Sequence, residues 1–313
     1  MHKVGFLLTD GFQIMTLAAQ SVFEYANFVA GKPVYGIEAF SVAGGPVQSS
    51  LGLAVETRKA STRATVDTWI VAGVGDPLAA PAQPAVLDFV RKVAPRARRV
   101  ASICTGAFVL AEAGLLDGRR ATTHWFYSRD MQRAHPDIRV EDDRIHIVDG
   151  PIWTSAGMTA GLDLALAMVE QDLGAEAARS VAHKLVMYQR RSGGQSQHSE
   201  LLDLAPKSDR IQSALDYARK NLHRPLTVED LAGAVHLSPR QFSRVFTAET
   251  GQSPAKAVES LRLEAARLMI EQSRHPLDVV ARETGFRDRR HLREAFIRGF
   301  GMPPQAVRRE ARA

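Results

Sequence analysis

Leu237-Ser238-Pro239-Arg240-Gln241-Phe242-Ser243-Arg244-Val245-Phe246 and Gly285-Phe286-Arg287-Asp288-Arg289-Arg290-His291-Leu292-Arg293-Glu294-Ala295-Phe296 are two versions of one stretch. Leu231-Ala232 precedes the first and Val280-Ala281 the second. Each is followed by a Gly-x-x-Pro tail, Gly251 to Pro254 and Gly301 to Pro304. The offset is 49 at Leu231/Val280 and Leu237/Phe286, and 50 at Phe242/Leu292, Phe246/Phe296 and Pro254/Pro304. A single inserted residue between anchors fits a turn and not a packed helix, so each copy reads as helix–turn–helix.

The local chemistry supports that reading. Thr227 is placed to cap a helix over 228–235 with Asp230 at its third position, and Ser238-Pro239 offers a cap and a first-turn proline for the next. Phe242, Val245 and Phe246 recur at helical spacing and face inward. Outward stand Arg240, Gln241, Ser243, Arg244 and Thr247. In the second copy the outward set is Arg289, Arg290, His291, Arg293 and Glu294. Guanidinium and amide groups on a second helix are what phosphates and base edges require. A solvated helical repeat is the blander alternative, and tandem duplication argues against it. Ala255 to Ser273 reads as one unbroken helix, with no glycine or proline until Pro276, so the two recognition helices are held at fixed separation. Major-groove faces recur every ~34 Å, which lets one chain read two adjacent turns.

From about Ser208 to Arg309 this pattern resembles the DNA-binding domain of the AraC/XylS transcription regulators. The resemblance implies double-stranded DNA as partner, contacted by Arg240, Gln241, Ser243, Arg244, Arg289, Arg290, His291 and Arg293. Arg287-Asp288-Arg289-Arg290 departs from the serines common in that family, which leaves the bases read by the second unit open.

At 313 residues the chain suits two or three domains. With 45% hydrophobic and 24% charged residues it has ordinary globular composition, and the formal charge of +6 is concentrated beyond Asp209. No apolar run reaches the length of a membrane span and no leader pattern opens the chain. One cysteine excludes an internal disulfide and fits a reducing cytoplasm. No metal or cofactor motif is present.

The N-terminal part alternates strands and helices. Lys3 to Leu8, Ile37 to Ala43, Trp69 to Ala72, Val100 to Ile103 and Ile145 to Val148 read as strands. Ile14 to Val29, Pro84 to Val93, Thr105 to Ala113 and Ala160 to Gln171 read as helices. The expected class is therefore α/β: a doubly wound, mostly parallel sheet over 1–191. A last helix is expected over 175–190 and a linker over 192–207, in which Leu201-Leu202-Asp203-Leu204 has no clear assignment. An all-α domain with the two helix–turn–helix units follows over 208–313.

Ala101-Ser102-Ile103-Cys104-Thr105-Gly106 places the cysteine where a strand runs into a helix, a nucleophile-elbow geometry. The helix N-terminus is expected to lower the thiol pKa. With Gly73-Val74-Gly75 and His124-Trp125 downstream, the first 190 residues resemble the PfpI-like, amidotransferase-like superfamily. Enzymatic members use an acid after the first strand; the aligned position is Thr16, which cannot ionise. Thr105 stands where proteolytic members carry histidine. The implied pocket is lined by Thr16, Gly75, Cys104, Thr105 and His124, holds a small-molecule effector and has no catalytic residue. Two other readings remain open, a cysteine-dependent hydrolase or hydratase and an exposed low-pKa redox thiol. His124 and Trp153 also have plain packing roles open to them, and Thr154-Ser155-Ala156-Gly157 reads as a turn with weak anion-site character. The two resemblances together imply a GlxA-type regulator with room for a homodimer through the N-terminal domain.

Overall fold

The apolar run after Met1 forms the strand β1 (His2–Leu7), whose alternation builds both layers around the sheet. In the computed structural model, which describes residues 1–187, 191, 193–194, 197, 208–273 and 275–310, Val4 and Phe6 enter one core and Leu7 the other. The first core is closed by α1 (Ala18–Ala30), α5 (Ala160–Leu173) and α6 (Ala175–Lys184). The second is closed by α2 (Pro84–Val93) and α3 (Gly106–Glu112) around Trp69. The Trp69 ring meets Phe40 and Phe89 edge-on, each at 5.0 Å. Gly5 leaves room for it, since a Cβ there would lie 2.8 Å from the indole.

The other strands of the main sheet are β2 (Tyr35–Ser41), β3 (Gly45–Gln48), β4 (Ala54–Lys59), β5 (Thr68–Val71), β6 (Arg99–Ile103), β9 (His146–Asp149) and β10 (Ile152–Ser155). Their order is β3-β4-β2-β1-β5-β6-β10-β9. The pairs from β4 to β10 are parallel, and β3 and β9 flank them antiparallel. The chain winds outward from β1 through β2 in one direction and through β5 and β6 in the other. The switch point therefore lies between the carboxyl ends of β1 and β5, where ligands of such sheets gather. A short ladder, β7 (Arg120–Ala121) with β8 (Arg139–Val140), and α4 (Trp125–Ala134) complete this unit.

Two expectations are corrected here. The Thr154-Ser155 pair is strand, not turn: both residues sit in β10, buried between β6 and β9, and Trp153 is core with Arg99 over its ring at 5.5 Å. The helix α6 stops at Lys184, short of Arg190, because Leu185 caps it and Val186 takes a left-handed φ of 54°; residues 188–190 lie outside the described residues. The β3–β4 hairpin was not expected, since its exposed polar positions leave only Val47 and Thr57 buried. By Cα proximity the chain forms two compact units, Met1–Gln197 and His198–Ala313. Of the expected linker over 192–207, only Gly193, Gly194 and Gln197 are described; Leu201-Leu202-Asp203-Leu204 lies outside.

The second unit is all helical: α7 (Asp209–Lys220), α8 (Val228–Ala234), α9 (Pro239–Thr250), α10 (Pro254–Gln272), α11 (Leu277–Glu283), α12 (Arg289–Phe300) and α13 (Pro304–Glu310). Thr227 and Asp230 form a capping box on α8, and Ser238 with Gln241 forms one on α9. Glycines in the left-handed region, Gly251 at φ 73° and Gly301 at 68°, end the two recognition helices α9 and α12. The long helix α10 is more than a spacer. Ala257, Val258 and Leu261 belong to the first core, with Phe242 and Phe246, whereas Leu263, Ala266 and Ile270 belong to the second, with Leu292 and Phe296. Each half-domain uses one end of the same helix as its wall, and its 19 residues span about 28 Å at ~1.5 Å per residue.

Candidate functional site

Both recognition helices turn an apolar face inward and a basic face out. Phe242 and Phe246 are fully buried in α9, as are Leu292, Ala295 and Phe296 in α12. Arg240 and Arg244 are exposed and make no ion pair or hydrogen bond through their side chains among the described residues. Ser243 beside them is half-buried. Gln241 is exposed but occupied, its Oε1 accepting from Ser238 Oγ at 2.8 Å. On α12, Arg289, Arg290 and Arg293 are exposed. Arg290 Nε donates to Glu294 Oε1 at 2.9 Å, and the Glu294 carboxyl is held below its usual range by that bond. His291 is tied into its own turn: its N–H donates to Asp288 Oδ1 at 2.7 Å, its Nδ1 accepts from the Arg287 N–H, and its ring meets Phe286 edge-on. At the third helical position the Gln241 side chain thus serves its cap, while the His291 side chain holds the Arg287 N–H just before its own. Residues 208–313 hold 19 Lys and Arg against 13 Asp and Glu, while residues 1–207 hold 21 of each, so the net charge of the chain resides in the second part.

Three loops meet at the carboxyl ends of β1, β5 and β6. Cys104 sits at the strand–helix junction with a left-handed φ of 57°, a conformation costly for a side-chain-bearing residue and typical of an elbow. Gly106 makes the turn possible, since a Cβ there would lie 2.4 Å from the Val71 carbonyl oxygen. Thr105 Oγ1 donates to the Val74 carbonyl at 2.6 Å, the Gln13 N–H to the Gly73 carbonyl at 2.8 Å, and Tyr127 OH to the Gly75 carbonyl at 3.0 Å. Thr123 Oγ1 donates to the Cys104 carbonyl at 3.0 Å. These bonds stitch the loops carrying Thr16, Gly75, Cys104 and Thr105 together.

The thiol itself departs from expectation. Cys104 is 2% exposed, and burial pushes its thiol up to about 11, against the smaller opposing pull of hydrogen bonds from Thr105. Desolvation outweighs the short helix behind it, so the group is a neutral thiol rather than the expected thiolate. An exposed, acidic redox cysteine is likewise not what the fold presents. Thr16 is fully buried in the 3-10 turn Ile14–Leu17, and neither its Oγ1 nor Gln13 Oε1 has a hydrogen-bond partner among the described residues. His124 caps α4, its Nδ1 accepting from the Phe126 N–H at 3.3 Å, and its ring stacks on Trp125 at 5.7 Å. A cleft of about 110 Å³ opens beside the elbow, lined by Thr9, Asp10, Val74, Thr105, Phe108 and Glu112 among others. Thr105 is the predicted pocket residue that lines it; Thr16, Gly75, Cys104 and His124 lie outside its walls.

A feature the sequence did not disclose runs past this site. Arg191 grips the buried Asp163, its N–H donating to Oδ1 at 2.8 Å and its Nε to Oδ2 at 2.9 Å. The Gly194 carbonyl accepts from Arg144 at 2.9 Å. Gln197 then donates through Nε2 to the Thr123 carbonyl at 2.9 Å and accepts from the Trp125 N–H at 2.9 Å. Gln197 thus satisfies the first amide of α4 and touches the residue that holds the Cys104 carbonyl. Its glycine, serine and glutamine composition had read only as linker.

Comparison with known proteins follows the two units. The DJ-1/PfpI family matches residues 2–171, and a helix-turn-helix domain matches residues 231–310. The HTH-type transcriptional regulator GlxA of Rhizobium meliloti is 32% identical over 324 residues, covering 99% of this chain and 97% of that protein. The chain belongs to the GlxA-type AraC/XylS regulators. An isonitrile hydratase of Pseudomonas putida is 42% identical over 144 residues, covering 45% of this chain and 60% of the hydratase. The crystal structure of an AraC family transcriptional regulator from Pseudomonas putida superposes with a TM-score of 0.54 at 23% identity, over 59% of this chain and all of that one. As a member of this family, the chain is a DNA-binding transcription regulator with a sensor-type N-terminal domain. Among the described residues no helix is long and apolar enough to cross a membrane, and no His, Cys, Asp and Glu group is arranged to hold a metal ion.

Proposed function

We propose that the N-terminal unit binds a small-molecule effector at the carboxyl ends of β1, β5 and β6 and does no chemistry on it. The observation that carries this reading is the chemical neutrality of the elbow. Cys104 is a buried thiol raised to about 11, and Thr16 offers an unpaired hydroxyl where an enzyme of this type needs an acid. Such a set recognises by hydrogen bonding and shape, with Thr105 in the open cleft and Thr16, Gly75, Cys104 and His124 on the loops beside it. Arg191 and Gln197, through their bonds to Asp163, Thr123 and Trp125, tie the end of this unit to the loops beside the elbow, so that occupancy there acts on them. On the DNA side, Arg240, Ser243, Arg244, Arg289, Arg290 and Arg293 contact the duplex, with Gln241 and His291 bracing their helices. A homodimer through the N-terminal unit belongs to the same reading, with Phe28, Leu51 and Leu53 as exposed apolar surface for it.

The test is a thermal-shift screen of the full chain against polar metabolites, repeated on Cys104→Ser and Cys104→Trp. Effector sensing predicts a stabilising compound whose effect survives in the serine variant and is lost in the tryptophan variant. A shift that persists in Cys104→Trp places the site elsewhere. The similarity to a hydratase favours a second reading, hydration at Cys104. Turnover of an organic isonitrile by the wild type and none by Cys104→Ser would establish it and overturn the first.

A further inference from the structure

The two recognition helices align at an offset of 50, which pairs Arg240 with Arg290, Ser243 with Arg293 and Arg244 with Glu294. The last pair reverses charge at one position of the DNA-facing surface. Arg244 is unpartnered among the described residues. Glu294 holds Arg290 across one helical turn at 2.9 Å, with the two side chains 47% and 85% exposed. The pair lies on the open face and stabilises the fold little. Arg298, one turn further on, is drawn away to Glu259 at 2.6 Å. Glu294 Oε2 therefore accepts no hydrogen bond among the described residues.

A carboxylate on that face is repelled by phosphates unless a base donates to it. In the major groove only two base donors exist, the N4 amine of cytosine and the N6 amine of adenine. Adenine sets its N7 acceptor beside the amine, facing the carboxylate with a second negative edge. Cytosine has no acceptor there. We infer that Glu294 is the specificity-determining residue of the second unit, accepting from a cytosine N4 amine while it withholds Arg290 from the phosphates. Arg244 takes the equivalent place in the first unit and addresses guanine. The two units therefore read unlike half-sites from like scaffolds. This rests on the contact set proposed above, in which α9 and α12 both enter the groove.

The test is selection by the full chain from a duplex pool with 30 randomised base pairs, run for wild type, Glu294→Gln and Arg244→Gln. Circular dichroism confirms that each variant is folded. The wild type is expected to enrich a two-part site. Glu294→Gln should lose cytosine preference at one position of one part, with the selected site weakened about 5- to 100-fold against its variant, and the other part unchanged. Freed Arg290 should steepen the dependence of log K on log salt by about 1. Arg244→Gln should alter only the other part. Unchanged preference in Glu294→Gln, with Arg244→Gln altered, overturns the role of Glu294 and leaves the contact set standing. A single-part site, or none, in the wild type overturns the contact set, and this inference with it.

Discussion

The two helix–turn–helix units are built alike where they fold and unlike where they face out. Each uses a capped second helix, a buried aromatic at its end and a left-handed glycine to stop it. Yet the first turns on His236 at φ 57° and the second on Gly285 at φ 77°. The first presents free arginines and the second an Arg290–Glu294 pair. Packing constrains the inner face of both copies, since each core must close on its own end of α10. The outer face is free of that constraint, and there the copies differ.

The largest expected effect lies at the turns. A Cβ on Gly285 would stand 1.9 Å from the Leu222 carbonyl oxygen and 2.7 Å from Arg262 Nε. Arg262 itself spans to the Leu222 and Arg224 carbonyls at 3.2 and 2.7 Å. Gly285→Ala should therefore destabilise the second unit by more than ~3 kcal/mol, by clash and backbone strain together. Gly251→Ala, with nothing within 4 Å of its Cβ, should cost only about 1 kcal/mol. Urea unfolding of each variant checks the contrast, and equal losses would remove it.

Next come the exposed arginines. Arg244→Ala should lower discrimination at particular base pairs by about 1–3 kcal/mol, whereas Arg290→Ala should lose less because Glu294 already engages that side chain. Binding of the full chain to single-base variants of a selected site measures both. A uniform loss for Arg244→Ala would move it to phosphate contact.

Smaller still is His236→Gly. Relieving a left-handed φ on a β-carbon-bearing residue should stabilise the first unit by about 1 kcal/mol and leave DNA binding intact. A destabilised variant would mean that the imidazole packs usefully.

The smallest effect is in pH. Asp288 caps α12, and hydrogen bonds from the His291 N–H and Arg287 hold its carboxyl below the usual range. A lowered folded-state pKa stabilises above the ordinary carboxylate value, and that contribution is lost as pH falls through the folded one. The equivalent cap on α9, Ser238, does not titrate. The His291 amide should therefore lose hydrogen-exchange protection on acidification below about pH 4 while the Gln241 amide keeps its own. Parallel loss at both amides would show that the unit melts as a whole.

Much of this was legible in the chain because period and caps are local. The repeat around Leu237 and Phe286, the boxes at Thr227 and Ser238, and the elbow at Cys104 all declare themselves within a dozen residues. What stayed hidden depended on neighbours distant in sequence. The acidity of Cys104 is decided by burial, which outweighs the helix terminus that the sequence displays. Thr154-Ser155 looked like a turn because β6, the parallel strand that buries one side of β10, lies far earlier in the chain. Gln197 looked like linker because its partners, Thr123 and Trp125, are more than seventy residues away. The pairing of Arg290 with Glu294 was present in the spacing, but only side-chain geometry shows that Arg298 turns instead to Glu259.

The central claim is that one chain reads DNA through two scaffolds of the same design with different faces. Hydroxyl-radical footprinting of the full chain on a selected duplex tests it most directly. The account predicts two protected segments about one helical turn, ~34 Å, apart. Arg244→Ala should weaken protection at one segment first and Gly285→Ala at the other. A single protected segment, or two that fade together in both variants, would contradict it.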